Sequence, residues 1–411
     1  MKVLVFTSLY PNNVWPNHGV FIKERMSHFA KLDGCEVKVV APVPYFPAIR
    51  INWRWRFSQV VPREIRDGIE VYHPRYYMIP KVGMILYGFM MFLSVWGSVS
   101  RIRKTFDFDL IDAHFVYPDG FAAVLLGRIL GRPVVVSARG SDINRYSTFT
   151  LIRSLLRYTL KRADKVIAVS KSLKEAMIQL GIPGGKISVI SNGVDMKKFR
   201  ALSKSEARVK LSLPVDGKVI LSVGHLTRNK GFDLVIKAVR ILLEDRRQQN
   251  IRLNIVGDGI FVKDLERIVS ELDVGSQVSL RGTVSHEELF LWYSAADLFC
   301  LASEMEGWPN VILESLACGT PVVATFTGGV PEIISSDKIG LITKRNERNI
   351  ADTIHHALNK SWQSQKLIEY ARDHSWERAA RSLRQLFESA QNDFRRRVVC
   401  RKVRARSSER A

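Results

Sequence analysis

The stretch "DLFCLASEMEGWPNVILESLACGTPVVAT", residues 297–325, contains two short apolar runs separated by a turn and a short helical pattern. "DLFCLAS" is typical of a buried strand, and Gly307 and Pro309 mark the turn that follows it. "NVILESLA" predicts a helix that Gly319 ends before the next strand, "TPVVAT". Strand, helix and strand in this order form the repeating unit of a parallel sheet. The stretch therefore predicts an α/β fold.

The same alternation runs along the rest of the 411-residue chain. Strand-like runs such as "KVLVFTSL", "PVVVSARG" and "KVIAVS" alternate with helical patterns. After the polar stretch "RALSKSEARVKLSLPVDG" the alternation starts again with "KVILSVGHL". We therefore predict two doubly wound, Rossmann-like parallel-sheet domains, residues 1–197 and 198–374, that face each other across a cleft. Residues 393–411, rich in arginine, are predicted to form a basic disordered tail.

The composition restricts the partners and the compartment. A net charge of +22 favours an anionic partner, which could be nucleic acid, a membrane surface or a phosphorylated substrate. Cys35, Cys300, Cys318 and Cys400 are scattered, which predicts reduced thiols in a cytoplasmic protein and no metal site. The first residues, "MKVLVFTSLYPNN", predict a strand and its loop rather than a signal peptide. No metal and no cofactor are expected.

Two glutamates, Glu306 and Glu314, lie on either side of the turn in the opening stretch. The amides that begin a helix lack intrahelical partners and favour an anion, which suggests a diphosphate site. Glu314, one turn inside the helix, can accept two hydrogen bonds from a ribose diol, and Glu306 can bind a sugar or stabilise positive charge at an anomeric carbon. Either glutamate could equally be structural, since a helix N-terminus stabilises a carboxylate by about 0.3–1 kcal/mol without any ligand.

"EGWPNVILESLACGTPVVAT" resembles the E-x7-E motif of the family 4 glycosyltransferases. Together with "SNGVD", "SVGHLTRNKGFDLVIKA" and "HSWERAARSLRQLFE", the resemblance covers nearly the whole chain. It implies the GT-B fold, with a C-terminal helix over about 375–392 that packs back on the first domain. It also implies retention of anomeric configuration, a nucleoside-diphosphate sugar as donor, and no metal.

The resemblance also implies roles for individual residues. Glu314 matches the ribose-binding glutamate, Glu306 the glutamate that contacts the donor sugar, and Lys230 the lysine that binds the diphosphate. The segment expected to line the sugar and phosphates is Gly307, Trp308, Pro309, Asn310 and Val311. His225 stands where the family has an arginine, so the missing charge would come from a protonated His225, from Arg228 or from Arg139. The alternative for Lys230 and Arg228 is that they are exposed loop charges.

Two residues of the first domain complete the predicted site. Gly19 begins a helix, where the lack of a β-carbon would let the backbone approach a phosphate. His114 matches a histidine that lines the cleft near the sugar and the acceptor, and it is counted with Glu306 and Lys230 as catalytic. The alternative for His114 is a structural histidine whose hydrogen bonds are satisfied.

Residues 82–100 carry no charge, and Lys81, Arg101, Arg103 and Lys104 flank them. Three interpretations stay open: a membrane-spanning helix, a helix packed against the first domain, and attachment to one face of a membrane. The upstream "RINWRWRF", residues 50–57, is the aromatic and basic mixture expected at a lipid headgroup interface. We expect a cytoplasmic protein, attached peripherally to the inner face of the plasma membrane.

The predicted function is transfer of a sugar to the hydroxyl of a lipid-linked or surface polysaccharide intermediate of the cell envelope. Two mechanisms stay open: the leaving phosphate helps to deprotonate the acceptor, or Glu306 acts as the nucleophile of a double displacement. A nucleotide-sugar epimerase or hydrolase of the same fold is the alternative. Charge alone suggests a nucleic-acid-binding protein, but no helix-turn-helix, zinc-finger or RNA-binding signature accompanies it, so no nucleic-acid partner is expected.

Overall fold

The structure is a computed structural model that describes residues 1–78, 84–245 and 250–408, with only the backbone of residues 401–408. The chain divides into two compact units. Unit 1 comprises Met1–Ser191 and Trp376–Ala411, and unit 2 comprises Asn192–Ser375. Each unit is built on a twisted parallel sheet with helices around it, which confirms the predicted α/β fold.

Unit 1 alternates short strands and helices. Its strands are β1 (Lys2–Phe6), β2 (Glu36–Val40), β3 (Val43–Pro44), β4 (Arg63–Arg66), β5 (Ile69–Tyr72), β6 (Arg75–Tyr76), β7 (Leu110–His114), β8 (Val134–Ala138), β9 (Lys165–Ala168) and β10 (Ile187–Val189). Its helices are α1 (Val20–Ala30), α2 (Tyr87–Thr105), α3 (Phe121–Leu130), α4 (Ser141–Asn144), α5 (Thr150–Arg162), α6 (Lys171–Gln179) and the C-terminal α15 (Trp376–Ser408). Short 3₁₀ turns cover Trp53–Gln59, Tyr146–Thr148 and Gly184–Lys186.

Within the described residues the main sheet of unit 1 has the order β10-β9-β8-β7-β1-β2-β5-β4. All neighbours are parallel except β4, which pairs antiparallel with β5. The chain winds outward from β1 through β2 and β5 and then returns to place β7 on the other side of β1. This return makes a switch point between β1 and β7, where open α/β sheets bind ligands beyond the carboxyl ends of their strands.

Unit 2 follows the same plan. Its strands are β11 (Lys218–Val223), β12 (Ile251–Val256), β13 (Val278–Leu280), β14 (Leu298–Leu301), β15 (Val322–Thr325) and β16 (Gly340–Thr343). Its helices are α7 (Lys204–Lys210), α8 (Phe232–Glu244), α9 (Val262–Glu271), α10 (Leu289–Ala295), α11 (Asn310–Ala317), α12 (Val330–Ile333), α13 (Glu347–Asn359) and α14 (Ser364–Asp373), with a 3₁₀ turn at Arg228–Lys230.

As far as the structure describes it, the sheet of unit 2 is entirely parallel in the order β13-β12-β11-β14-β15-β16. The fully buried strands are nearly continuous apolar runs because helices cover both faces. The strand order reverses between β11 and β14. The opening stretch forms β14, α11 and β15, so the loop that carries Glu306 and leads into the helix of Glu314 starts at this switch point.

The boundary between the units differs from the predicted one at residues 197 and 198. Residues 192–195 of the "SNGVD" segment belong to unit 2, because the Asn192 side chain donates to Asn310 Oδ1 at 3.0 Å and the Val194 amide donates to the His374 carbonyl at 2.9 Å. These long-range bonds hold the segment against the second sheet. Residues 192–197 therefore lie in unit 2.

The C-terminal helix packs on unit 1 and is longer than predicted. The rings of Phe29 on α1 and Phe387 on α15 lie 5.3 Å apart in the core of this unit. The prediction of a disordered tail is wrong for residues 393–408, which continue α15. Asp393 pairs with Lys165 at 2.7 Å and Arg397 pairs with Asp164, so the helix is anchored to unit 1 beyond its apolar part. Residues 409–411 of the predicted tail lie outside the described residues.

Helix α2 contains most of the uncharged run over residues 82–100, whose first two residues lie outside the described range. One face of α2 is buried in unit 1 through Met91, Val95, Val99 and Ile102, as the second of the three interpretations requires. None of the described helices combines the length and apolarity needed to cross a membrane.

Candidate active site

Lys230 and Glu306 meet at the switch point of unit 2. The Lys230 Nζ lies 2.6 Å from Glu306 Oε1, and both side chains are largely buried. Lys230 ends the 3₁₀ turn that follows β11, and Glu306 lies in the loop that follows β14. The two loops are adjacent because β11 and β14 are neighbours in the sheet, so residues far apart in sequence become an ion pair.

Two glycines allow this close approach of loops. Gly231 begins α8 with φ +69°, and a β-carbon there would overlap the carbonyl oxygen of Ala302. Gly328 has φ +47°, and a β-carbon there would overlap the carbonyl oxygen of Glu306. Both positions combine a left-handed conformation with direct backbone contact, which only glycine tolerates without strain. The loop that carries Glu306 is thus held from both sides.

The N-terminus of α11 presents donors to the same loop. Pro309 occupies the cap position, and no side chain within the described residues caps this helix. In the part of the chain that the structure describes, the indole N–H of Trp308 is buried and has no hydrogen-bond acceptor. The neighbouring residues Gly307, Asn310 and Val311 are half-buried. A helix start without a carboxylate cap, next to a lysine, is suited to an anionic ligand.

Glu314 is oriented by a residue that the sequence analysis did not identify. The Tyr293 hydroxyl donates to Glu314 Oε2 at 2.9 Å, and His286 Nε2 lies 3.9 Å from Glu314 Oε1. Tyr293 is fully buried on α10, and burial beside Glu314 raises the pKa of its hydroxyl well above the usual value. Tyr293 therefore stays a hydrogen-bond donor at neutral pH. No local pattern marks this pair, because its members are brought together by the packing of α10 against α11.

Two other residues predicted to bind the donor diphosphate, His225 and Arg228, are exposed. His225 follows β11 and Gly224, and its side chain is exposed. Arg228 lies in the same loop and lines a groove with Lys237 of α8 and Asp264 of α9. The structure therefore brings Lys230 into contact with Glu306 but does not bring His225 or Arg228 into contact with either glutamate.

In unit 1, His114 ends β7 at the switch point and is fully buried. Arg139 Nη2 donates to His114 Nδ1, and His114 Nε2 lies 3.0 Å from a carboxylate oxygen of Asp112. Burial lowers the pKa of His114 to about 4, although Asp112 opposes the shift. His114 is therefore neutral at pH 7. Protein groups lie against both of its ring nitrogens, so the side chain is shielded from solvent in this structure. Arg139 is equally buried, and burial lowers its pKa well below the usual value.

The loop after β1 reaches the same end of the sheet. Asp119 accepts hydrogen bonds from the amide of Ser8 and from its hydroxyl, the latter at 3.1 Å, and burial raises the pKa of this carboxyl to about 7. Gly19 caps α1 with φ +71°, and a β-carbon there would overlap the carbonyl oxygen of Leu9. The contact with Leu9 by itself explains a glycine at this position. Within the described residues, no three His, Cys, Asp or Glu residues cluster as metal ligands would.

Comparison with known proteins identifies the family. The sequence model of the family described as "Glycosyl transferases group 1" matches residues 203–374, and that of the family described as "Glycosyltransferase Family 4" matches residues 19–198. TuaC of Bacillus subtilis strain 168, named as a teichuronic acid biosynthesis glycosyltransferase, is 32% identical over 362 residues, which cover 86% of this chain and 88% of TuaC. The chain belongs to the family 4 glycosyltransferases. It is accordingly an enzyme of this type, as the E-x7-E stretch predicted.

Solved structures agree on the fold of this glycosyltransferase. A sucrose-phosphate synthase from Thermosynechococcus elongatus is similar with a TM-score of 0.77 and 19% identity, over 94% of this chain and 98% of the other. HepE from Anabaena, solved in complex with UDP, has a TM-score of 0.71 and 20% identity, over 95% of this chain and 100% of HepE. These glycosyltransferases have the GT-B fold, which confirms the predicted fold.

Proposed function

We propose that this glycosyltransferase moves a sugar from a nucleoside diphosphate to a hydroxyl group of a lipid-linked or surface polysaccharide intermediate, with retention of anomeric configuration. The observation that carries the proposal is the pairing of Lys230 with Glu306 at the switch point of unit 2, in the loop that leads into α11. Glu314 lies about one turn inside this helix. Two carboxylates and one ammonium beside an uncapped helix N-terminus match the chemistry of a nucleotide sugar, which has two phosphates between two polyols.

Glu314 is the proposed ribose ligand. One of its oxygens is held by Tyr293, while Oε1 accepts no hydrogen bond within the described residues. A carboxylate that is fixed through one oxygen is pre-oriented to accept hydrogen bonds from hydroxyl groups through the other. Because the ribose is present in ground state and transition state alike, this contact should contribute to binding rather than to turnover.

Lys230 is the proposed diphosphate ligand, and Glu306 balances its charge until the donor arrives. A diphosphate at the α11 N-terminus would compete for Lys230 and release Glu306 toward the sugar. As the sugar leaves, negative charge accumulates on the diphosphate, and Lys230 with the α11 amides and the Trp308 N–H would stabilise it. Of the three candidates for the missing arginine charge, Arg139 is buried against His114, whereas His225 and Arg228 are exposed and can turn toward a ligand. We propose that these groups do the work that a metal does in other transferases.

The relatives support the choice of substrates. HepE was solved with UDP, and TuaC is named for the biosynthesis of a polysaccharide, teichuronic acid. We propose a UDP sugar as the donor and a growing polysaccharide of the cell envelope as the acceptor, with the enzyme working on the cytoplasmic side of the membrane.

The test compares Glu314→Ala, Glu306→Gln and the control Glu304→Gln, whose side chain is exposed in the same loop. Calorimetry with UDP, GDP and ADP measures binding, and transfer of labelled sugar to an envelope lipid extract measures turnover. Loss of the ribose hydrogen bonds in Glu314→Ala should weaken nucleotide binding about 10- to 100-fold. Glu306→Gln should lower turnover about 100-fold or more and bind UDP at least as tightly as the wild type, because Lys230 loses its competing carboxylate.

Wild-type turnover in Glu306→Gln, or unchanged nucleotide binding in Glu314→Ala, would remove the assignment. Sugar release or epimerisation with donor alone, at the rate of transfer, would favour the epimerase or hydrolase. The anomeric configuration of the product, determined by NMR, tests retention separately.

A further inference from the structure

Helix α2 has an apolar face on each side. While Met91, Val95 and Val99 are buried in unit 1, the opposite face carries four large apolar side chains that are 36% to 54% exposed. These are Leu86, Phe89, Leu93 and Trp96. Their spacing of three, four and three residues places them along one stripe of the helix. A helix on the surface of a protein normally has polar side chains there, so this stripe needs a partner.

Basic residues continue the stripe. The last turn of α2 contains Arg103 and Lys104, and Arg101 is exposed one turn after Gly97. No aspartate or glutamate occurs between residues 84 and 106. Arg103 has Asp107 at 3.8 Å, whereas Arg101 and Lys104 form no ion pair within the described residues. The exposed face of α2 is therefore apolar for its first three turns and cationic at its end.

A second exposed segment lies next to α2 within unit 1. Ile49, Ile51 and Trp53 are more than half exposed, and residues 41–63 contain four arginines and no acid. The Arg50 guanidinium stacks 4.7 Å from the ring centre of Trp55. This is the mixture of exposed aromatic, aliphatic and basic side chains that occurs at lipid headgroups.

Arg75 connects the two features. Its guanidinium donates to the carbonyl oxygens of Phe57 and Val60, which fixes the 3₁₀ turn over Trp53–Gln59. Arg75 lies on β6, and both Arg75 and the α2 residues Ser98 and Ile102 line one groove. The segment 49–57 and helix α2 are therefore neighbours, connected through the half-buried Arg75.

We propose that the exposed face of α2 and the segment 49–57 form one surface, the α2 surface, by which unit 1 lies on an anionic lipid bilayer. The helix would lie in the plane of the interface, with the apolar stripe among the acyl chains and Arg101 and Lys104 at the headgroups. A second copy of the chain is a poorer occupant, since it would bring two acid-free cationic surfaces together in a protein of net charge +22. The proposal is independent of the proposed reaction, because Glu306, Glu314 and Lys230, on which that reaction rests, lie in unit 2.

The test is co-sedimentation of the full chain with two kinds of vesicle at two salt concentrations. Neutral vesicles contain phosphatidylcholine alone, and anionic vesicles contain about 30% phosphatidylglycerol as well. We expect the wild type to bind the anionic vesicles, more weakly at high salt, and to bind neutral vesicles only slightly. Leu93→Ser should lower the partition coefficient about tenfold and Phe89→Ser with Leu93→Ser about 100-fold. Arg101→Gln with Lys104→Gln should lower it about 20-fold on anionic vesicles and leave neutral ones unchanged. The control is Leu151→Ser, at a leucine of unit 1 on α5 that is 63% exposed, compared with 52% for Leu93.

A second measurement avoids variants that could unfold. Brominated lipid should quench tryptophan fluorescence of the wild type, and Trp53→Phe and Trp96→Phe, which keep an aromatic ring, should each reduce the quenching. Equal binding to neutral and anionic vesicles, or equal losses in Leu93→Ser and Leu151→Ser, would overturn the proposal. So would unchanged vesicle binding of Leu93→Ser together with a loss of dimer in sedimentation velocity, which would identify a second copy as the occupant. Unchanged UDP affinity in these variants shows that the donor site is intact.

Discussion

Replacement of Tyr293 by phenylalanine tests how the structure orients the ribose ligand. The change removes one hydroxyl and keeps the ring, which packs edge-on at 6.0 Å from Phe199 and 5.6 Å from Phe299. Apolar packing should therefore be unaffected, and the effect should come from the lost hydrogen bond to Glu314 Oε2.

The magnitude follows from burial. A hydrogen bond to an ionised group contributes about 1.5–3 kcal/mol. The Tyr293 hydroxyl is shielded from water, which favours the upper part of this range. The Glu314 side chain is 12% exposed, however, and a water molecule can replace part of the lost hydrogen bond. We expect the free energy of unfolding to fall by about 1–2 kcal/mol. Once released, Glu314 must be ordered when the donor binds, which costs about 0.5–1.5 kcal/mol and weakens UDP binding about two- to twelvefold.

The assay combines urea unfolding, calorimetry with UDP and steady-state kinetics. KM for the donor should rise while kcat stays near that of the wild type, because the ribose contact is the same in ground and transition states. The matched control is Tyr370→Phe, which removes a hydrogen bond of 2.7 Å to the Ile333 carbonyl elsewhere in unit 2. The reasoning is refuted if Tyr293→Phe leaves UDP affinity unchanged, or if Tyr370→Phe weakens it equally.

Two further perturbations address the backbone and the buried charges. Gly328→Ala should displace the Glu306 loop, because its β-carbon would overlap the Glu306 carbonyl at a left-handed φ. We expect the free energy of unfolding, measured with urea, to fall by about 1–3 kcal/mol. In transfer assays kcat should fall more than it does in the control Gly184→Ala. Asp119→Asn tests the pH dependence: the folded pKa of about 7 lies above the ordinary carboxyl pKa of 3.8, so Asp119 contributes stability at low pH that is lost as pH rises through 7. The stability of the wild type relative to Asp119→Asn should therefore fall by about 2 kcal/mol between pH 5 and pH 8 in urea unfolding, whereas Asp33→Asn, an exposed control, should show no such trend.

Much of the local structure around the two glutamates was predictable because its parts are local in sequence. The turn at Gly307 and Pro309 and the helix over "NVILESLA" depend on backbone conformation and helix-start chemistry, which a few neighbouring residues determine. The separation of Glu306 and Glu314 follows from those elements. The same holds for the two alternations of strand and helix that predicted two parallel sheets.

Predictions that required long-range contacts were less accurate. The "SNGVD" segment was placed in the first domain because nothing local shows that Asn192 bonds to Asn310. The arginine-rich composition of residues 393–408 predicts a tail, but Asp164, just before β9, and Lys165, at its start, pair with Arg397 and Asp393 of the helix. The contact of His114 with Arg139 likewise joins residues that lie apart in the sequence, and no local pattern shows it.

The sequence by itself determined the α/β class, the family and the positions of the two glutamates, because each depends on short-range periodicity and turn chemistry. Only the tertiary structure decided that Lys230 pairs with Glu306, that Tyr293 orients Glu314, and that α2 exposes a second apolar face. Strand order in the sheet and packing between helices create these contacts. A side chain's partners depend on which distant segments the fold places beside it, and the sequence around that side chain carries no direct record of them.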